Sequence, residues 1–162
     1  MSEYNQARRE GVIKSGYDFR KLAEVTHLFG KTAKRLPYQI SFRIPGREDA
    51  ICLLLSENGG RGWKNIPHYG AACDDRGWHE IVQVDEFNEN GEVSVGRVEE
   101  ELSHPLDRFI FWRMERKGAK WYKFCGHFRL DVDATMASRA AGENKCIYRK
   151  IADQMSCLRV AA

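Results

Sequence analysis

The spacing of apolar residues changes along the chain, and the changes mark out its elements. Leu22, Val25, Leu28 and Phe29 fall at helical intervals. Asp18 stands before them as a good N-cap and Gly30 after them as a stop, which predicts one N-terminal helix over 18–29. The stretch before it, 1–16, is polar and predicts a loose arm with a short helix near 4–10. Pro37 closes the helical region, and the period then falls to two. Strands are predicted over 38–44, 50–55 and 78–87, with a short one over 92–98 before the acidic run Glu99-Glu100-Glu101. The strongest signal is at 108–130. There Phe109, Ile110, Phe111 and Trp112 lead to Lys117-Gly118, and Trp121, Tyr122, Phe124, Phe128 and Leu130 return from it. This is a β-hairpin, with Gly126 marking a bulge or a close backbone approach. The segment 131–144 is small and polar, a loop or weak helix, and 146–152 closes as a strand.

One helix and about six strands in hairpin-like succession predict an α+β domain on a curved, mostly antiparallel sheet. At 162 residues the chain fits one domain, with the core at 17–158, and closing the sheet into a small barrel would remove its edges. The composition, 43% hydrophobic and 11% aromatic, excludes a disordered chain. No apolar run reaches the ~20 residues of a membrane span. The five cysteines form no CxxC and suit a reducing cytoplasm better than a disulfide framework. Cys125 with His127, or Cys73 with His79, is at most half a zinc site. We therefore expect no metal and no cofactor.

Charge changes the picture more than composition does. The net +3 is the sum of +5 over 1–48, −9 over 49–107 and +7 over 108–162. Two basic ends around an acidic middle suit an anionic partner, provided the ends share one side of the fold.

Candidate chemistry lies in three places. In Gly59-Gly60-Arg61-Gly62-Trp63-Lys64-Asn65 the glycines permit close backbone approach, and Arg61 and Lys64 suit a phosphate. Trp63 suits stacking on a base and Asn65 suits reading a base edge. In Trp78-His79-Glu80, His79 and Glu80 are the acid/base candidates. The hairpin interleaves aromatics with Arg113 and Lys123, a combination that holds nucleic acid by stacking and phosphate attraction. Lys31, Lys34 and Arg35 extend the phosphate track. Neither a GxSxG elbow nor a helix-opening GxGxxG occurs.

The run Phe109-Ile110-Phe111-Trp112-Arg113, followed by Trp121-Tyr122-Lys123-Phe124-Cys125-Gly126-His127-Phe128-Arg129-Leu130, resembles the late strands of PUA-like barrels. That superfamily includes EVE, ASCH and SRA-type modules. The likeness is confined to 108–130. It implies a PUA-like barrel that binds nucleic acid and recognises a modified base in an aromatic pocket. By resemblance, Trp63, Trp78, Trp112 and Tyr122 become pocket candidates. The leading expectation is a nucleic-acid-binding module for DNA or RNA, with a flipped or modified base in that pocket. Two other readings remain: a small nuclease or nucleotide hydrolase using His79 and Glu80, or a regulatory protein sequestering a nucleotide or a protein partner.

Overall fold

Alternating aromatic and β-branched residues fold as the expected central hairpin: β7 (Asp107–Arg116) and β8 (Ala119–Leu130) join through Lys117-Gly118. The structure, a computed structural model, describes residues 1–30, 41–44, 46–47, 50–55, 63–68, 80–85, 92–143 and 145–158. The remaining elements are α1 (Glu3–Glu10), β1 (Val12–Lys14), β2 (Asp18–Phe19), α2 (Leu22–Leu28), β3 (Ser41–Arg43), β4 (Ala50–Leu55), β5 (Trp63–His68), β6 (Glu80–Asp85), α3 (Glu92–Ser103), α4 (Val132–Ala140), β9 (Lys145–Ala152) and β10 (Gln154–Ser156). The main sheet runs β3-β4-β7-β8-β9-β6-β5, and β2 adds to β8. Among the described residues, only its β4–β7 pairing is parallel. This is the mixed α+β, mostly antiparallel architecture the sequence predicts. Among the described residues no pairing joins β3 to β5. No helix among them is long and apolar enough to cross a membrane.

β7 is buried on both sides, so it divides two cores. On one side Phe109, Phe111 and Phe124 pack with Phe19, Val25, Leu28 and Met155. We call this the α2 face. On the other, Ile110, Trp112, Cys125 and Phe128 pack with Leu130, Cys146, Tyr148 and Val98 of α3. We call this the α3 face. Fully burying one such side chain contributes about 1.5–3 kcal/mol, so neither layer is dispensable.

Four departures from the sequence-based expectation have clear physical causes. The first sixteen residues are not a loose arm. Ser2 caps α1 by accepting from the Asn5 N–H, and β1 pairs with β10, which leaves Ala7 and Ile13 fully buried. Asp18 does not cap α2, because it lies in β2 and ion-pairs with Lys123. Glu24 reaches back instead, accepting from the N–H groups of Arg20 and Lys21 at 2.7 and 3.2 Å. Four helices stand among the described residues, where the sequence predicts one over 18–29, a short one near 4–10 and a loop or weak helix over 131–144. Residues expected as the strand over 92–98 form α3, whose Val98 and Leu102 sit one turn apart against the α3-face core. The weak segment after Leu130 is α4, since Asp131 accepts from the Ala134 N–H at 2.9 Å.

Gly126 meets both expectations at once. The β7–β8 register shifts between Ile110 and Phe111, so Ile110 faces Gly126 while Phe111 faces Phe124. Gly126 also takes φ +127° against the carbonyl oxygen of Ala152.

Candidate nucleic-acid interface

Strand register shows which sequence-predicted residues share a surface. Residues directly opposite in a ladder lie on the same side of the sheet. Cys146 and Tyr148 belong to the α3-face core. They pair with Gln83 and Ile81 of β6. Those two pair with Asn65 and Pro67 of β5, and Asp85 pairs with Trp63. Trp63, Asn65, Gln83 and Asp85 therefore stand together on the α3 face at the β5 edge. By type they are one aromatic and three polar residues. Trp63, Lys64 and Asn65, which follow the glycines in the sequence, open β5 and pair with β6. Lys64 falls on the opposite face with Val84.

The other candidates divide. Trp112 is on the α3 face but is 7% exposed and packed with Ile110 and Phe128. Tyr122 lies across the sheet, packed against the α2-face core. The structure therefore separates Trp112 from Tyr122. Lys123 has its charge compensated, with Nζ 3.1 Å from Asp18 and donating to the Gly16 carbonyl at 3.3 Å. Arg113 is exposed on the outer hairpin. Glu80 pairs in register with Arg149 and His68, on the face opposite Asn65. Arg61, Trp78, His79, Lys31, Lys34 and Arg35, with Gly59, Gly60 and Gly62, lie outside the described residues.

Beneath the α3 face lies a buried polar cluster that sequence reasoning missed. Arg108 ion-pairs with Glu101 of α3, their side chains 6% and 15% exposed. The Tyr148 hydroxyl donates to the same Glu101 oxygen at 3.2 Å, and the Arg108 guanidinium lies 4.5 Å over the Tyr148 ring. Burial pushes the Tyr148 phenol well above its ordinary pKa, which keeps it a donor. Arg108 Nε is buried without a partner among the described residues. The available signal is alternation, which puts Arg108 on the same face as Ile110 and Trp112. In the sequence Glu101 is only the end of an acidic run.

A second cluster lies at the start of β7. Asp107 accepts from Arg129 at 2.9 and 2.8 Å and lies 2.8 Å from His127 Nε2. His127 stacks on Phe109 with centroids 4.4 Å apart. Cys125 packs in the opposite core, so Cys125 and His127 cannot share a zinc ion. Among the described residues no group of three or more possible metal ligands occurs.

The Arg129 hydrogen bonds, then His127, hold the Asp107 carboxyl below its ordinary range. Stability from a lowered carboxyl is complete above its unfolded pKa of about 3.9 and is lost as pH falls through the folded value. Asp107→Asn should therefore flatten the acid limb. Urea midpoints from pH 6 to pH 2 should fall less steeply than in the wild type. Parallel limbs would remove Asp107 from the account of acid stability.

Strand pairing brings the two basic ends of the chain together. β1 and β2 of the first third pair with β10 and β8 of the last. The ends that the charge pattern sets apart along the chain are thus neighbours in the fold.

With this geometry in place, comparison with known proteins adds a likeness. The fold is similar to that of the 5-hydroxymethylcytosine-specific restriction enzyme AbaSI. The TM-score is 0.72 and the identity 13%, over 98% of this chain and 46% of that one. The chain thus spans less than half the length of AbaSI. At this identity the likeness is one of fold. No protein-family model matches the chain, and no curated protein sequence does.

Proposed function

We propose that this chain is a DNA-recognition module that takes a modified cytosine of the hydroxymethyl class out of a duplex. One observation carries the reading: nearly the whole chain superimposes on part of AbaSI, an enzyme specific for 5-hydroxymethylcytosine. Fold alone does not determine function, so the site must supply the chemistry. In our reading Trp63 stacks on the extruded base. Asn65, Gln83 and Asp85 meet its exocyclic amine, ring edge and hydroxymethyl group. Unstacking costs a few kcal/mol, which stacking and hydrogen bonding in the pocket offset. In this reading the sheet belongs to a PUA-like barrel with the recognition pocket on its α3 face. The basic ends hold the backbone.

The test is fluorescence anisotropy at fixed salt with three duplexes of one sequence, differing only in a central cytosine, methylcytosine or hydroxymethylcytosine. The hydroxymethyl duplex should bind about tenfold tighter or better, since a good bidentate base contact discriminates by ~1–3 kcal/mol. Asn65→Ala should erase most of that preference while retaining general affinity. Equal affinity for all three duplexes, or no binding at low salt, would overturn the proposal. A nucleotide that raises Tm in a chain with no affinity for DNA would instead mark a nucleotide-sequestering protein.

A further inference from the structure

The central hairpin outruns the sheet that supports it. β4 pairs with β7 only as far as Trp112, and β2 pairs with β8 at Tyr122 and Lys123. Beyond these, Met114↔Trp121, Glu115↔Lys120 and Arg116↔Ala119 pair only with each other among the described residues. Residues 115–120 are exposed on both strands and through the turn. At ~3.3 Å per residue the overhang reaches about 10 Å, before the turn is counted. Its charge is one-sided, with Arg113, Arg116, Lys117 and Lys120 against Glu115.

A free two-stranded ribbon is at best marginally stable in water, and two features stiffen this one. Lys117 and Gly118 have φ of 51° and 77°. Positive φ at both turn positions matches the right-handed twist of the strands. At the root, Met114 packs against the α3-face core. The result is a preformed cationic arm rather than a mobile loop.

We propose that this arm enters the major groove of duplex DNA beside the recognised base and contacts phosphates on its walls. The inference rests on the DNA-binding reading above and adds to it a second contact that does not read the base. The occupant follows from size and sign. A B-form major groove is ~12 Å wide and admits a two-stranded ribbon. The major groove of A-form RNA is too narrow for side chains to read. A rigid cationic ribbon therefore favours duplex DNA.

The test uses the full chain with Arg116→Ala, Lys117→Ala and Lys120→Ala combined, leaving Gly118 and the turn geometry intact. Affinity for duplex DNA is measured across a salt series, with double-stranded RNA of the same sequence in parallel. Losing three phosphate contacts should make the slope of log K against log salt shallower by about 2.7, at ~0.9 per contact. Modified and unmodified duplexes should weaken by the same factor, so their ratio persists. The slope for RNA should not change. A wild-type urea midpoint in the variant excludes a folding defect, and Lys117→Glu alone should lower affinity in the same salt-dependent way. If the wild type discriminates modified DNA and the variant keeps the wild-type slope, the arm proposal falls and the base-recognition reading stands. If the wild type binds no duplex at low salt, both fall.

Discussion

Glu101→Ala should lower the unfolding free energy by about 3–5 kcal/mol, the usual cost of stranding one partner of a buried ion pair. The Glu101 carboxylate pairs with Arg108 and also accepts from Tyr148. Arg108 is almost fully buried, with Nε already unpartnered among the described residues. Without Glu101 the guanidinium would keep its charge, since its pKa is far above any working pH, and would lose the carboxylate that compensates it. The cost therefore comes from Arg108 rather than from the deleted side chain. Arg108→Met with Glu101→Leu removes both charges and should be much closer to neutral, because an apolar replacement of similar volume needs no compensation. The exposed pair between Arg139 and Glu99 also ties a helix to α3, at 40% and 49% exposure. It is the natural control: Arg139→Ala should cost less than about 1 kcal/mol. Urea denaturation with a common m-value measures all three. A loss from Glu101→Ala as small as that from Arg139→Ala would show that water reaches Arg108. The cluster also fixes α3 against the sheet, because Glu101 of α3 holds both Arg108 of β7 and Tyr148 of β9.

Local pattern makes some of this molecule legible in the sequence. The β7–β8 hairpin and the bounds of β4 follow from strand-like runs and a Lys-Gly turn. What the sequence hides depends on contacts between distant segments. The strand predicted over 92–98 is the start of α3, because Val98 and Leu102 find a partner in Tyr148 and its neighbours. β-branched residues there fit either period until that partner is known. Asp18 has the chemistry of a cap, but β2 places it beside Lys123, more than a hundred positions away. The candidate site shows the same limit. The amide of Asn65 stands out next to a glycine-rich run, while nothing local distinguishes Gln83 and Asp85. They join Asn65 only through the β5–β6 register, and β9 alone shows which face that is. Trp112 and Tyr122 belong to one aromatic hairpin, yet opposite faces separate them. Their register is set by the Lys117-Gly118 turn, which leaves Trp112 facing Lys123 and Arg113 facing Tyr122; the bulge at Gly126, whose presence is legible in the sequence although its phase is not, shifts the ladder only beyond Phe111.

That bulge carries the other large effect, and Gly126→Ala should lower stability by about 2–6 kcal/mol. Two contributions add. At φ +127° an L side chain is strained by about 1–3 kcal/mol. The new Cβ would also lie 2.7 Å from the Ala152 carbonyl oxygen, 3.0 Å from Lys150 Cε and 3.1 Å from Ser15 Oγ. The lysine and serine atoms belong to side chains that can move. The carbonyl belongs to β9, and moving it disturbs the ladder in which His127 faces Ala152. Overpacking of this kind costs about 1–3 kcal/mol. Gly118→Ala separates the two contributions, since Gly118 has φ +77° and nothing within 4 Å of the place a Cβ would take. It should show backbone strain alone, about 1–2 kcal/mol. Urea unfolding of the two variants gives the comparison directly. Equal losses would mean that crowding at Gly126 costs nothing and that backbone conformation alone holds the bulge. A larger loss at Gly126 would mean that the approach of β9 locks the bulge that sends Cys125 to the α3-face core and His127 to Phe109 on the other side.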